Sequence, residues 1–386
     1  MSLPKLKQQL QQLISLPSIS SSSPEWDQSN RPVIDLLAGW LESLGFAIQI
    51  QTLASNANKA NLIATLGSGP GGLVLAGHTD TVPFDKGSWQ SDPFTLRETQ
   101  NRFYGLGCCD MKGFFVTAIE AARQFKAGDF KQPLILLATA DEESSMDGAR
   151  ELAQADTTLG RYAIIGEPTS LRPIRMHKGI MMESIQIQGK SGHSSNPELG
   201  FNALDAMQRV LTELLRYREE LQRKFNNAAF TVNVPTLNLG SIHGGDNPNR
   251  ICSHCNLQFD LRILPGMQNE TVRQEISTRL SAISHELGCD IQYRPMISGV
   301  QPFEQAAGSD IVVAAEQLTG HVAEAVAFAT EAPFMQQLGM ETIVMGPGSI
   351  DQAHQPNEFL ELRQIDPCVT LLTEFIKKFC LQTQAQ

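Results

Sequence analysis

Residues 133–143 read PLILLATADEE, a short apolar run that ends in three consecutive acids. A continuous apolar run of this length is typical of a strand buried on both faces, as in a parallel sheet covered by helices. Acidic runs most often lie on the solvent-exposed surface. Carboxylates at the end of a buried strand, however, are more typical of a metal site than of a solvated face. Consecutive side chains on a strand point in opposite directions, so one of Glu142 and Glu143 can coordinate a metal while its neighbour stays free as a base.

Similar strands alternate with helices on both sides of this segment. Short strands are predicted at 47–53, 61–66, 72–76, 162–165 and 341–345, and apolar residues recur at helical spacing over 3–16, 32–45, 111–125, 146–153 and 367–379. This alternation predicts an α/β fold in which a mostly parallel sheet is flanked by helices.

The pattern changes near residue 177. Strands are predicted at 182–188, 230–239, 257–263 and 290–293, and helices at 202–225 and 269–287. The resulting order of strand, helix, strand, strand, helix, strand is that of a small α+β sandwich. We therefore expect residues 178–293 to form an α+β domain inserted into a larger α/β domain, which is made of residues 1–177 and 294–386.

The composition bears on partners and location. The chain has 386 residues and a formal net charge of −11, from 30 Lys and Arg against 41 Asp and Glu. Such an acidic chain is a poor match to a phosphate backbone, so we expect no nucleic-acid partner. The apolar runs are far shorter than the ~20 residues of a membrane span, and the first residues are too polar for a signal peptide. Seven cysteines without framework spacing favour reduced thiols, so we expect a soluble cytoplasmic protein with no membrane partner.

Polar residues follow a second buried strand. His78 and Asp80 come directly after strand 72–76 and point the same way. His78 can therefore bind a metal through one ring nitrogen while Asp80 braces the other. Asp110 closes a Gly-rich loop at the start of a predicted helix, where an Asp is often only an N-cap.

Two more polar residues complete a possible ligand set. Glu167 follows strand 162–165, and His354 lies in a loop of Gly, Pro and polar residues. Imidazole nitrogens combined with carboxylate oxygens suit Zn²⁺ or its neighbours rather than an iron–sulfur cluster. The carboxylates exceed the needs of one metal, which indicates two ions about 3.5–4 Å apart with one bridging carboxylate.

The order of these motifs resembles the dinuclear zinc M20 metallohydrolases. It runs H-T-D (78–80), G-x-G-x-x-D-M-K-G (105–113), D-E-E (141–143) and G-E-P (166–168) before the late histidine, and the resemblance extends nearly end to end. Leu106 stands where many relatives have Arg, which we interpret as variation. The resemblance implies a catalytic domain interrupted by a smaller dimerisation or lid domain, a homodimer, and two divalent ions, expected to be Zn²⁺ with Co²⁺ able to substitute.

The resemblance also implies a role for each ligand. Asp110 would bridge the two ions. His78 and Glu167 would complete one metal site, and Glu143 and His354 the other.

Three further roles follow from the same resemblance. Asp80 would brace the histidine ligand. Glu142 would be the general base. His193, in the segment SGHSS (191–195), would reach the active site of a partner subunit; by itself a histidine among Ser and Gly is more often a loop residue.

Within the family, several further segments resemble the members that hydrolyse N-acetyl-L-ornithine. They are GEPTSL (166–171), SGHSS (191–195), NLGSIHGGDNPNRIC (238–252), TEAPF (330–334) and GPGSIDQAHQP (346–356). The implied reaction releases acetate and L-ornithine for arginine biosynthesis, through a metal-bridging water that Glu142 activates. An aminoacylase, a dipeptidase or a succinyl-diaminopimelate desuccinylase would use the same metals. A metal-free binding protein is disfavoured because all five ligands and the base are present.

The substrate's polar groups also need partners. Asn249, Arg262 and Lys178 are candidates for the α-carboxylate, although Arg262 could simply pair with a strand neighbour. Glu331 is a candidate for the side-chain amine of ornithine, because a carboxylate prefers a cationic partner.

Overall fold

The computed structural model describes residues 3–155 and 159–382. Its helices are α1 Leu6–Ile14, α2 Arg31–Ser43, α3 Lys112–Ala122, α4 Asp147–Gln154, α5 Ala203–Lys224, α6 Asn269–Leu287, α7 Asp310–Thr319, α8 Ala332–Gln337 and α9 Ile365–Ile376. Its strands are β1 Ala47–Thr52, β2 Ala60–Leu66, β3 Leu73–His78, β4 Arg97–Thr99, β5 Arg102–Tyr104, β6 Leu134–Thr139, β7 Tyr162–Pro168, β8 Ile174–His177, β9 Gly179–Gln188, β10 Thr236–Gly244, β11 His254–Ile263, β12 Asp290–Pro295, β13 Phe303–Glu304, β14 Glu324–Val326, β15 Glu341–Gly346 and β16 Phe359–Glu361.

The chain divides into two compact units. The larger unit comprises residues 1–175, 305–324 and 330–386, and the smaller comprises residues 176–304 and 325–329. The smaller unit extends past the expected limit at residue 293 because the following segment returns along β9. There the amide of Val300 donates to the carbonyl of Ile180.

The larger unit is built on a sheet with a parallel centre. Six neighbouring strands of this sheet follow the order β1-β2-β6-β3-β7-β15. The four strands from β6 to β15 are parallel to one another, while β1 and β2 form an antiparallel edge. Every residue of β3, β6 and β7 is buried, as expected for strands covered on both faces. The predicted α/β class with a mostly parallel sheet is confirmed.

Helices bury their apolar faces against this sheet. Nearly all of α3 is buried, and it shares one apolar cluster with α1, α2 and α9. Phe114 and Phe115 of α3 and Phe375 of α9 belong to this cluster. No helix among the described residues combines the length and the apolar character that crossing a membrane requires.

The smaller unit is an antiparallel sheet with two helices. Its strands follow the order β10-β11-β9-β12, and each neighbouring pair is antiparallel. Side chains of β9 alternate between buried and accessible, and the buried ones share an apolar cluster with α5 and α6. The predicted order of two helices and four strands is present.

One predicted strand is displaced. Residues 230–239 alternate with period two, but the strand begins only at Thr236. Pro235 has no N–H to donate to a neighbouring strand. Phe230 lies in a turn, in which its amide donates to the carbonyl of Asn227. The strand instead continues beyond Leu239 through an irregularity in register.

Candidate metal centre

The carboxyl ends of the central parallel strands place the polar residues together. His78 ends β3, Glu142 and Glu143 follow β6, Glu167 lies at the end of β7, and His354 follows β15. In open α/β sheets this edge is where ligands bind, because parallel strands all end there. Asp110 joins them from the loop between β5 and α3.

The first part of the centre surrounds His78, which is almost completely buried. Its Nε2 lies 3.1 Å from Oδ1 of Asp110 and 3.9 Å from Oε1 of Glu167. Its Nδ1 lies 3.0 Å from the backbone carbonyl oxygen of Asp80. A carbonyl can only accept, so Nδ1 is the donor, and in the neutral ring Nε2 keeps its lone pair for a metal.

The second part of the centre surrounds His354. Its Nε2 lies 2.9 Å from Oε2 of Glu143 and 3.7 Å from Oδ2 of Asp110. The two carboxylate oxygens of Asp110 therefore face different histidines. This is the arrangement that a carboxylate bridging two metals requires.

Ligand atoms also converge across the two parts. Among the described residues, one atom each from His78, Asp110 and Glu143 lie within 4.8 Å of one another, and so do one atom each from His78, Glu142 and Glu167. By interatomic distance alone, Glu142 could therefore be a metal ligand as well. Its separate role as a base therefore stays a prediction.

The carboxylates repel one another in a buried space. Burial, followed by the charge of Glu167, raises the pKa of Glu142 well above its ordinary value. Burial and the charge of Asp110 likewise raise the pKa values of Glu143 and Glu167. Burial and like charges both disfavour the ionised form of a carboxyl group, and a nearby cation would favour it.

The histidines only partly supply that positive charge. Burial opposes the charged form of His78, but the hydrogen bond to Asp110 and the surrounding carboxylates outweigh it, so its pKa lies well above the usual value. The hydrogen bond to Glu143 is the main reason that the pKa of His354 is raised to about 9. Imidazole nitrogens among excess carboxylates fit divalent ions such as Zn²⁺, because the ions would neutralise the charge that the protein leaves uncompensated.

Asp80 holds the acidic turn after β6. Its Oδ1 accepts from the amide of Glu142 at 3.3 Å and its Oδ2 accepts from the amide of Glu143 at 3.0 Å. The carboxylate lies 3.7 Å from Nδ1 of His78, while the backbone carbonyl of Asp80 makes the shorter contact with that ring. Asp80 therefore contacts the ring of His78 through its backbone and the backbone amides of both glutamates through its carboxylate.

Two supporting residues were not found from the sequence. Lys59 is buried, and its Nζ lies 2.7 Å from both Asp141 and Asp27. Asp141 is the first acid of the turn and adopts a left-handed backbone with φ 59°. Glu358, four residues after His354, is buried beside the Asp110 loop. An isolated lysine and an isolated glutamate carry no motif that identifies them.

His193 belongs to the smaller unit, as do the other residues of its loop. Its ring is exposed, and its Nδ1 accepts from the backbone amide of Ser195 at 3.3 Å and lies 2.8 Å from the Ser195 hydroxyl. In the neutral ring Nε2 therefore carries the proton and can donate a hydrogen bond. The carbonyl of Asn249 accepts from the amide of Ser194 at 3.1 Å and so helps to hold this loop.

Lys178 and Arg262 also lie in the smaller unit. Arg262 donates through Nε to both carboxylate oxygens of Asp260, at 3.0 and 3.2 Å, so it pairs with its strand neighbour. Lys178 is buried and donates to the carbonyl of Val234 at 2.8 Å. Burial, together with the charge of Arg262, lowers the pKa of Lys178.

Glu331 belongs to the larger unit and is completely buried. Its Oε2 accepts from the Thr139 hydroxyl at 2.9 Å, and its Oε1 has no hydrogen-bond partner among the described residues. Burial raises its pKa to about 7.

The chain is similar to a known protein family and to proteins of nearly the same length. The model of peptidase family M20/M25/M40 matches residues 74–378. An acetylornithine deacetylase from Pasteurella multocida is 47% identical over 378 residues, which are 98% of this chain and 99% of that protein. An acetylornithine deacetylase from Edwardsiella ictaluri is 48% identical over 368 residues, which are 95% and 96% of the two proteins.

A solved structure shares the fold. The M20 family metallo-carboxypeptidase Sso-CP2 from Sulfolobus solfataricus superposes with a TM-score of 0.77 at 17% identity, over 97% of this chain and 99% of that chain. The family model covers most of the chain, and the sequence relatives match it from end to end. The chain therefore belongs to peptidase family M20/M25/M40.

Proposed function

We propose that this protein hydrolyses N-acetyl-L-ornithine to acetate and L-ornithine, with two divalent metal ions bound at the centre. The observation that carries the proposal is the position of Asp110, whose two carboxylate oxygens face His78 and His354 separately. The substrate is inferred from the full-length relatives named acetylornithine deacetylase. Zn²⁺ is the proposed ion, with Co²⁺ as a substitute, because the donor set combines imidazole and carboxylate.

The ligands divide into two sets that share one residue. His78 and Glu167 would hold one ion, Glu143 and His354 the other, and Asp110 would lie between them. Bound in this way, the ions would supply an acidified water and polarise the scissile carbonyl.

Glu142 is the proposed carrier of the proton. It lies on the acidic turn next to a proposed ligand and is buried, so a proton that its carboxylate accepts from the attacking water is kept out of bulk solvent. It would then deliver that proton to the leaving amine. Proton transfer of this kind contributes roughly 10²–10⁴-fold to a rate.

His193 is the proposed donor to the oxyanion of the tetrahedral intermediate. Its hydrogen bonds with Ser195 leave the proton on Nε2, which is what a donor to an oxyanion needs. Because the SGHSS segment resembles the family segment whose histidine reaches a partner subunit, we propose that His193 acts on the active site of a second chain in a homodimer.

Substrate recognition is proposed for polar residues of both units. Lys178, Arg262 and Asn249 are candidates for the α-carboxylate, of which Lys178 and Arg262 supply positive charge. Glu331 is the candidate for the side-chain amine of ornithine, and its Oε1 is the atom available for that amine.

We further propose that the enzyme acts in the cytoplasm, without a nucleic-acid or membrane partner. All seven cysteines are unpaired, which agrees with a reducing compartment. The net charge of −11 disfavours binding to anionic surfaces.

A side-by-side substrate assay tests the reaction. The Zn²⁺-loaded protein would be given N-acetyl-L-ornithine, N-acetyl-L-methionine, N-succinyl-diaminopimelate and N-acetyl-L-norvaline, which lacks only the side-chain amine of ornithine. The highest kcat/KM is expected for N-acetyl-L-ornithine. A higher kcat/KM for another amide would support a metallohydrolase but contradict the proposed substrate. No turnover of any of the four substrates would contradict the proposed reaction.

A further inference from the structure

We propose that Glu358 is a positioning residue that fixes the bridging ligand Asp110 through the backbone of its loop. This inference rests on the proposed two-metal site. Glu358 is 2% exposed, and neither the motifs nor the ligand set includes it.

The Glu358 carboxylate accepts three backbone hydrogen bonds from one loop. Its Oε2 accepts from the amide of Gly107 at 2.8 Å, and its Oε1 accepts from the amides of Cys109 at 2.7 Å and Asp110 at 3.0 Å. The backbone carbonyl of Glu358 also accepts from the amide of Gly105 at 3.2 Å. One buried residue thus satisfies most of the amides of the segment that ends in the bridging ligand.

The backbone conformation of the loop that carries Asp110 explains why its amides need an acceptor such as Glu358. Gly107 has φ 81°, a left-handed conformation that glycine adopts readily. A Cβ at this position would lie 2.8 Å from Cγ2 of Thr81, so a larger residue does not fit. In this conformation three amides point to one side of the loop, where the carboxylate of Glu358 receives them.

Glu358 also connects the two ligands on which the second metal depends. It lies four residues after His354, and the next residue, Phe359, pairs with Tyr104 at the start of the Asp110 loop. The contact therefore ties the segment that carries His354 to the loop that carries Asp110. No ion pair of Glu358 is present among residues 3–155 and 159–382, and the hydrogen bonds of its carboxylate all go to backbone amides of this loop.

The test exchanges the acceptor for a donor. In Glu358→Gln one carboxylate oxygen becomes an NH₂ group, which cannot accept from an amide. Glu361→Gln is the matched control, because Glu361 lies three residues later and pairs with Arg102 and Arg363 instead. The metal-free proteins would be titrated with Zn²⁺ against a chromophoric chelator, and kcat, KM and thermal unfolding would be measured in parallel.

We expect Glu358→Gln to bind Zn²⁺ about 10–100-fold more weakly than wild type, as is usual when a residue behind a metal ligand is changed. The kcat should fall while KM stays within about twofold, because the effect is on the reacting centre rather than on substrate binding. Glu361→Gln should match wild type. Wild-type Zn²⁺ affinity and kcat in Glu358→Gln would overturn the inference, even if the unfolding temperature fell.

A second variant covers failure of the first to fold. Glu358→Asp keeps both acceptor oxygens but is one carbon too short to reach all three amides, so weaker Zn²⁺ binding is expected. If Glu358→Gln does not fold, a folded Glu358→Asp with wild-type affinity overturns the inference. Failure of both variants to fold also overturns it, since Glu358 would then be a purely structural residue. Failure of the wild-type protein to bind Zn²⁺ would instead overturn the proposed function.

Discussion

Glu142 is the residue on which the proposed chemistry depends most. It is buried among other carboxylates, and its proposed task is to move a proton rather than to hold a metal. Glu142→Ala should therefore retain its metal content while kcat falls by roughly 10²–10⁴-fold. Metal analysis together with steady-state kinetics checks both expectations. Normal turnover would remove Glu142 as the base, and a loss of metal would make it a ligand.

For His354 and Glu143 we expect the opposite result, a loss of bound metal. Their side chains lie 2.9 Å apart at one end of the centre, and both are proposed ligands of the same ion. His354→Ala or Glu143→Ala should lower the bound metal from about two ions per chain to about one, as measured by elemental analysis after dialysis. Unchanged metal content in both variants would contradict the ligand assignment.

The residues of the centre differ in how far the sequence could identify them. His78, Glu142 and Glu143 follow apolar strands directly, and the strand pattern alone places them at one edge of the sheet. Asp110 alone could equally be a helix cap, and only its place in the family motif indicated a ligand. Glu358 could not be found, because its partners are backbone amides that leave no trace in a motif.

At the scale of elements, Lys59 stabilises the acidic turn after β6. It is 1% exposed and pairs with Asp141 and Asp27, so its removal would leave the Asp141 carboxylate in a buried position without its cation. Lys59→Met should lower the free energy of unfolding by about 3–5 kcal/mol, as measured by denaturant unfolding of the metal-free protein.

An exposed lysine provides the control for this prediction. Lys126→Met changes the same net charge on the surface and should alter stability by at most about 0.5 kcal/mol. Equal effects of the two substitutions would contradict a specific role for the buried pair.

Most elements could be predicted because their patterns are strong. The strand predicted over residues 133–140 became β6, Leu134–Thr139, and the period-two pattern of 182–188 became part of β9. The strand predicted at 230–239 was displaced because alternation alone does not register the missing N–H of Pro235. The limits of the smaller unit depend on hydrogen bonds between segments that are distant in sequence. The periodicity of apolar residues does not predict such bonds.

At the scale of the whole molecule, the proposed chemistry needs both units. The proposed metal ligands belong to the larger unit and His193 to the smaller one. If His193 acts across a dimer, mixing inactive His193→Ala with inactive Glu142→Ala should create hybrid dimers with one complete active site. About a quarter of wild-type turnover is then expected at equal concentrations with random exchange. Absence of recovery, with subunit exchange verified, would place His193 in its own chain's site or outside the chemistry.

The most direct test of the two-metal proposal is a titration of the metal-free protein with Zn²⁺, in which bound metal and hydrolysis of N-acetyl-L-ornithine are measured in the same samples. We predict no turnover without metal, binding that saturates at two ions per chain, and turnover that is restored by the added metal. Undiminished turnover in the metal-free protein, or saturation at a single ion, would contradict the proposal.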